Sequence, residues 1–319
     1  MSWEADSQLV RGAGPGFNLA IGEPLFLREV FDRYYPRHYP ADLGYPDSRP
    51  DPFLQRELEK LHPGQHIVVT LGAKQALHAA IHALAPYAHT VSHRTPFWPT
   101  YPTIAQYGRL DFCGIRDDRP GHLVCNTSPN NPDGSESVFD CDIWDTAYAH
   151  DVYGWSGKVP PHTVSVWSGG KMLGAPGVRV GWLCTENPEI AEYARRYVEQ
   201  TTSGVPTTSQ YHVAATLLAT QDIRPQLYQK ARDTLLENAE QFYRLIQWTW
   251  DIEGLCRGMF AWLRPRDPDH FKACLVKAGV LMVSGEACGQ PGWFRASLGL
   301  DTKTTRAAMD ALLRNLEGA

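Results

Sequence analysis

The sequence predicts an α/β protein: a large unit with a mostly parallel sheet between helices, and a smaller α+β unit. Three observations predict it. Short apolar runs alternate with amphipathic helical stretches from about Ile67 to Glu186, a pattern that suits strands buried on both faces. After Glu186 the character changes: helices come first, then a closing group of strands and helices. The chain has 319 residues, 43% hydrophobic and 20% charged, which is room for two domains and ordinary for a folded globular chain.

Taken in order, residues 1–40 read as irregular, with Gly-Ala-Gly-Pro-Gly at 12–16 and aromatics clustered between Tyr34 and Tyr39. Ile67–Leu71 is apolar, rich in β-branched residues and closed by Gly72, so it reads as a buried strand. Ala73–Ala85 follows as a helix with Leu77, Ala80, Ile81 and Leu84 on one face. Further strands are expected at Thr90–His93, Leu110–Ile115, His122–Asn126, Asp142–Trp144, Thr163–Trp167 and Val178–Cys184. Helices are expected at Pro188–Gln200, Thr208–Ala219 and Arg224–Trp248. The last is long enough to bridge two domains, and Pro225 sits at its start, where a missing N–H costs nothing. A strand (Met259–Arg264), a helix (Asp267–Ala278), two strands (Val280–Val283, Trp293–Ser297) and a closing helix complete the chain. Asp301 or Thr302 can cap that helix, and Ala307, Met309, Leu312, Leu313 and Leu316 line its apolar side.

Several function classes drop out. The net charge is −5, which argues against broad binding to a nucleic-acid backbone. No apolar run approaches the ~18–20 residues of a membrane helix. The start, Met-Ser-Trp-Glu-Ala-Asp, has neither the basic nor the apolar region of a signal peptide. Seven cysteines are scattered without a C-x-x-C pair, so neither a zinc site nor a disulfide framework is expected, and a cytoplasmic location is.

One segment carries chemistry: Ser168-Gly-Gly-Lys171-Met-Leu-Gly174-Ala-Pro-Gly177-Val-Arg179-Val-Gly181-Trp182. A lysine at a strand end beside a Gly-rich turn can be desolvated and kept uncharged long enough to form a Schiff base. Ser168 and Arg179 add a hydroxyl and a planar fork of donors, a pair suited to a phosphate. Gly72-Ala73-Lys74 marks a strand-to-helix turn, whose free N–H groups bind phosphate without side-chain charge. Lys74 itself reads first as a solvated helix lysine, with a phosphate role second.

This segment resembles the lysine motif of fold-type I pyridoxal-phosphate enzymes of the class I/II aminotransferase kind, and within them the alliinase and tryptophan-aminotransferase group. The resemblance runs from Phe17 to Leu298. It takes in Asn18–Pro24, Ile67–Gln75, Pro96–Tyr101, Asn130–Gly134, Asp145–Tyr148, Gln200–Gln210 and Trp293–Ser297. It implies a fold-type I architecture, with a large cofactor domain at 40–203 and a small domain made of 1–39 and 204–319. It implies pyridoxal 5'-phosphate as cofactor, a homodimer, and no metal.

The resemblance also assigns roles. Lys171 holds the cofactor as a Schiff base and moves the proton. Asp145 keeps the ring nitrogen protonated, which makes the ring an electron sink. Asp151 with Tyr153 is a competing pair, less well spaced. Tyr148 and Asn131 donate to the ring's phenolate oxygen, and Trp98 stacks on the ring. Gly72, Ala73, Lys74, Ser168 and Arg179 hold the phosphate. Tyr45 reaches the phosphate from the partner subunit. Arg295 forks onto the substrate carboxylate, and Gly22 lines the substrate pocket with backbone.

The chain departs from the pattern at three places. Ala73 replaces the usual hydroxyl residue. Only thirteen residues separate Asn131 from Asp145, too few for the helix many aminotransferases carry there. Gly169-Gly170 replaces bulkier residues and predicts a wider pocket beside Lys171. The expected function is transamination between an α-amino acid and a 2-oxo acid, with Trp98 and Tyr34 or Tyr35 hinting at a large or aromatic side chain. A lyase or decarboxylase reaction in a specialised pathway, natural-product synthesis or phage nucleotide modification, is the alternative. A non-catalytic ligand-sensing domain is a third reading, against which the intact Lys171, Asp145, Arg179 and Arg295 count.

Overall fold

The computed structural model describes residues 16–39, 44–115, 119–155, 157–160, 163–249 and 251–317. In chain order they form β1 (Phe17–Asn18), α1 (Leu25–Phe31), α2 (Pro52–Leu61), β2 (His66–Thr70), α3 (Ala73–Leu84), β3 (Thr90–Ser92), α4 (Tyr101–Tyr107), β4 (Asp111–Cys113), β5 (His122–Thr127), β6 (Ile143–Asp145) and β7 (Val164–Ser168). The one-turn helix α5 (Gly169–Met172) follows, then β8 (Gly181–Thr185), α6 (Pro188–Thr202), α7 (Thr207–Ala219) and α8 (Arg224–Thr249). The last third holds β9 (Ile252–Arg257), β10 (Phe260–Pro265), α9 (Pro268–Ala278), β11 (Val280–Leu281), β12 (Val283–Ser284), β13 (Phe294–Ser297) and α10 (Thr302–Glu317).

The main sheet has seven strands in the order β2-β8-β7-β6-β5-β3-β4. β8 runs antiparallel to both of its neighbours, and the other pairs are parallel. The register sets Thr127 beside Asp145, Asp145 beside Val166, and Ser168 beside Gly181. The carboxyl ends of β2, β5, β6 and β7 therefore share one edge, where open α/β sheets place ligands. A core of Val68, Leu77, Ile81, Val91, Ile143 and Val166 locks α3 and α6 onto one face of the sheet.

A four-stranded antiparallel sheet, β12-β13-β10-β9, packs apart from the first. β1 pairs in parallel with β11, which ties the N-terminal segment to the last third of the chain. The 26-residue α8 packs against α1, α10, β9 and the short turn of helix at Asp151–Tyr153. Helix starts follow their capping chemistry: Asp51 accepts from Phe53 N–H, Asn187 from Glu189 and Ile190, and Asp267 from Asp269 and His270. Each is followed by a proline in the first turn. For the closing helix the cap is Asp301, whose carboxylate accepts from Thr304 N–H at 2.8 Å.

Four expectations need correction. The N-terminal region is not irregular throughout: Leu25–Phe31 is helical and buries Phe26, Leu27, Val30 and Phe31. The strand expected from Val178 begins at Gly181, because residues 176–178 form a 3₁₀ turn and Arg179 adopts left-handed backbone at φ 58°. Val280–Val283 is two strands, not one: β11 pairs with β1 and β12 with β13. β9 has no counterpart in the sequence reading; it is a half-exposed strand against β10. The glycine-rich 12–15 stretch and position 40 lie outside the described residues. No helix among the described residues is long and apolar enough to cross a membrane.

Candidate active site

At the carboxyl edge of the main sheet lies a cavity of about 430 Å³. Its walls include Gly22, Gly72, Ala73, Lys74, Trp98 and Asn131. Asp145, Tyr148, Ser168, Lys171, Arg179 and Arg295 complete the predicted set around it. These residues come from seven separate parts of the chain, and the sheet register brings them together.

Lys171 sits in α5, directly after β7. Ser168 caps this turn, its hydroxyl accepting from Lys171 N–H at 3.4 Å. The Lys171 amine donates to the Gly22 carbonyl. Burial, with Arg295 and then Arg179 nearby, lowers the amine to about 8, although Glu23 pulls the other way; a neutral amine is thus within reach near neutral pH. Three carbonyls in a row after it are each capped by a tyrosine hydroxyl. Tyr153 donates to Lys171 O at 2.8 Å, Tyr228 to Met172 O at 2.9 Å and Tyr35 to Leu173 O at 2.7 Å.

Asp145 ends β6 and is 6% exposed. One carboxylate oxygen accepts from Ala147 N–H at 3.0 Å. No cation among the described residues pairs with it, and burial pushes it up to about 6. Tyr148 is buried and holds its hydroxyl near the Gly22 backbone. Its phenol is pushed up by burial, a proton donor at any working pH. Asp151, the competing carboxylate, is exposed and does not line this cavity.

The opposite wall is made by the start of α3. Gly72 takes φ 85°, and a Cβ there would stand 2.8 Å from the Arg179 guanidinium. Gly181 is closer still: a Cβ would meet Ala73 N at 2.4 Å. Both glycines let β8 and Arg179 press against the helix N-terminus. Arg179 donates to Pro176 O and Leu71 O, at 3.0 and 3.1 Å. Lys74 reaches over the Trp98 ring at 5.3 Å, and burial and Arg179 lower its amine. It is thus a cavity residue with a solvated flank.

Arg295 lies in β13, 2% exposed. It donates to Asn131 Oδ1 at 2.7 Å and to the Ala20 carbonyl. Its Nε has no hydrogen-bond partner, and no carboxylate among the described residues pairs with it. It is a buried guanidinium with neutral partners and one unused donor, on the wall of the cavity.

Tyr45, expected at a partner's phosphate, is 96% exposed and lies beside Glu199 and Ser203, outside its own chain's cavity. Two expectations fail here. Tyr34 and Tyr35 do not line the cavity; Tyr35 is spent on Leu173 O and on a tilted ring contact with His212. Gly170 does not widen the pocket: a Cβ would stand 2.6 Å from Pro176 Cα, so the glycine serves close packing of the turn. The sequence reading missed Thr127, Tyr101 and His93, which lie against Asp145 and one another. Tyr101 follows Trp98 by three residues across a helix start, the one local signal that could have found it.

The residues suit pyridoxal phosphate. Asp145 is a buried carboxylate lacking a cation, Trp98 offers a flat face, and Lys171 a desolvated amine. The helix N-terminus with Ser168 and Arg179 offers a cradle for a dianion. Fold and cavity together define a fold-type I pyridoxal-phosphate enzyme. Residues 16–312 match the family described as aminotransferase class I and II, and the chain belongs to that family.

Similar proteins agree with that placement. Tryptophan aminotransferase-related protein 2 of Oryza sativa subsp. japonica is 30% identical over 216 residues, covering 58% of this chain and 42% of that protein. Its namesake in Arabidopsis thaliana is 32% identical over 197 residues, 54% of this chain and 44% of that protein. The chain thus spans less than half the length of these curated relatives. The structure of Thermus thermophilus aspartate aminotransferase with maleate superposes with a TM-score of 0.78 at 19% identity, over 98% of this chain and 94% of that one. At that identity the likeness shows the shared fold.

Proposed function

We propose that the chain is an aminotransferase that passes an amino group between an α-amino acid and a 2-oxo acid. The observation that carries this is Arg295: a buried fork with a free Nε, facing the same cavity as Lys171 and Asp145. When bound, pyridoxal phosphate supplies an electron sink for charge leaving the substrate Cα. Asp145 would pair with its ring nitrogen. Tyr148 and Asn131 would donate toward its phenolic oxygen, and Ser168, Arg179 and the α3 N-terminus would hold its phosphate. Arg295 fixes the substrate carboxylate, which orients Cα toward the Lys171 amine. That amine, half deprotonated near pH 8, would be the base that takes the Cα proton and the acid that gives it back.

A carboxylate held by a charge-assisted fork is stabilised in the ground state, which disfavours its loss as carbon dioxide. A large or aromatic side chain is supported by Ile21 and Trp98 on the cavity wall and by the names of the plant relatives, and the same reading puts the chain in the alliinase-like group. A cytoplasmic homodimer is part of the same reading. Tyr45, outside its own cavity and almost fully exposed, is free to reach a partner's phosphate. The test is a single turnover with an amino-acid panel and no acceptor. The visible band of the bound cofactor should fade and return on adding a 2-oxo acid. Ammonia or carbon dioxide released while the band persists would point to a lyase or decarboxylase.

A further inference from the structure

A chain of buried polar groups runs behind Asp145. His93 Nδ1 lies 2.7 Å from the Arg94 carbonyl, and its Nε2 lies 3.0 Å from Thr127 Oγ1. Thr127 Oγ1 lies 2.9 Å from the Tyr101 hydroxyl, which is 3.5 Å from the Asp145 carboxylate. All four side chains are buried. They come from the ends of β3, β5 and β6 and the start of α4.

The hydrogens in this chain are fixed by its far end. A backbone carbonyl only accepts, so His93 Nδ1 carries a hydrogen. Burial keeps the ring neutral, lowered to about 4, and Arg94 opposes charge as well, against the Arg94 hydrogen bond and Asp133. Nε2 then has a lone pair and accepts from the Thr127 hydroxyl. Thr127 has given its only hydrogen, so its oxygen accepts from Tyr101. Tyr101 has then given its hydrogen too, and shows Asp145 only lone pairs. The separation agrees: 2.9 Å to Thr127 is an ordinary O–H···O length, whereas 3.5 Å to Asp145 is beyond it.

We propose that His93 and Thr127 are positioning residues that hold the Tyr101 hydroxyl turned away from Asp145, so that the second carboxylate oxygen is left for the cofactor's ring nitrogen. A donor on that oxygen would lower the basicity of the carboxylate and weaken its hold on a protonated ring. The relay keeps that donor away with no charge of its own. It rests on Asp145 as the partner of the ring nitrogen.

The test uses the full chain. In cofactor-free protein with 15N-labelled histidine, His93 should be a neutral ring with its hydrogen on Nδ1. A cationic ring, or a hydrogen on Nε2 alone, overturns the relay. Thr127→Val should free the Tyr101 hydroxyl to turn onto Asp145 and weaken pyridoxal phosphate binding by about three- to tenfold. Thr127→Ser should restore it, and Tyr101→Phe should stay within about twofold of the parent, since little is lost with a hydroxyl not given to Asp145. The opposite ranking, Tyr101→Phe weak and Thr127→Val unchanged, means that Tyr101 donates to Asp145 and refutes the proposal. Asp145→Asn separates the two levels. If it leaves the affinity unchanged, the assignment of Asp145 falls and the relay with it; if it weakens binding, the ranking of the other variants judges the relay alone.

Discussion

Replacing Arg295 with glutamine should damage recognition of the carboxylate far more than it damages the fold. Glutamine keeps one neutral donor for Asn131 Oδ1 or the Ala20 carbonyl, the two acceptors that Arg295 now serves. It loses the fork. Two charge-assisted hydrogen bonds are worth about 1.5–3 kcal/mol each, so about 2–5 kcal/mol of transition-state binding disappears after a surviving neutral bond of about 1 kcal/mol is counted. At 1.36 kcal/mol per decade, kcat/KM for an amino acid should fall by about one and a half to nearly four decades. Stability should move little. One acceptor left bare costs about 1–3 kcal/mol, but the variant also removes a buried cation that no carboxylate among the described residues neutralises, which offsets it. The assay compares the amino acid with the amine that lacks its carboxylate. The variant should lose rate on the first only. An equal loss on both substrates, or a loss accompanied by a collapsed melting transition, would refute the reasoning by making Arg295 structural.

Three further outcomes are expected. Lys171→Ala should abolish the adduct that borohydride fixes while the far-ultraviolet circular dichroism is unchanged; a surviving adduct would move the Schiff base to another lysine. In cofactor-free protein Asp145 binds its proton more tightly folded than unfolded, from an ordinary 3.8 to about 6, so its burial costs stability as pH rises from about 4 to 6 and in full above that. Asp145→Asn should therefore stabilise the cofactor-free chain by about 2–3 kcal/mol at pH 7 and not at all below about pH 4. It should also cut turnover by orders of magnitude, with Asp151→Asn mild; urea unfolding at the two pH values reads the first part, and a pH-independent gain contradicts it. Gly72→Ala places a methyl 2.8 Å from Arg179 at a φ of 85°, and should weaken pyridoxal phosphate binding by tenfold or more while pyridoxal without phosphate is less affected.

Much of this was legible because the chemistry is local. Ser168, Lys171, Arg179 and the glycines between them lie within twelve residues, and the strand-turn-strand geometry needs those residue types. Asp145 was legible from the apolar strand before it and from Tyr148 three residues later. Other features depend on partners distant in sequence. That β8 would run antiparallel inside a parallel sheet, or that β11 and β12 would part company at Met282, follows from which strands lie beside them. Tyr35 looks like a pocket aromatic in sequence, but its hydroxyl is taken by a carbonyl 138 residues away. Helix α2 was overlooked although its signal is present: Asp51 caps, Pro52 starts, and Leu54 and Leu58 are buried.

The three tyrosines on the carbonyls of residues 171–173 come from different parts of the chain. Tyr35 follows the N-terminal helix that begins just after Gly22, Tyr153 follows the loop after Asp145, and Tyr228 belongs to the 26-residue α8. The lysine turn is therefore a rivet through three plates. A shift of any one of them tugs on the backbone that carries Lys171. The N-terminal segment thus holds both the turn, through Tyr35, and the lysine side chain, whose amine donates to the Gly22 carbonyl. Substrate-driven motion of that segment would reach the reacting nitrogen by leverage, without a separate lid.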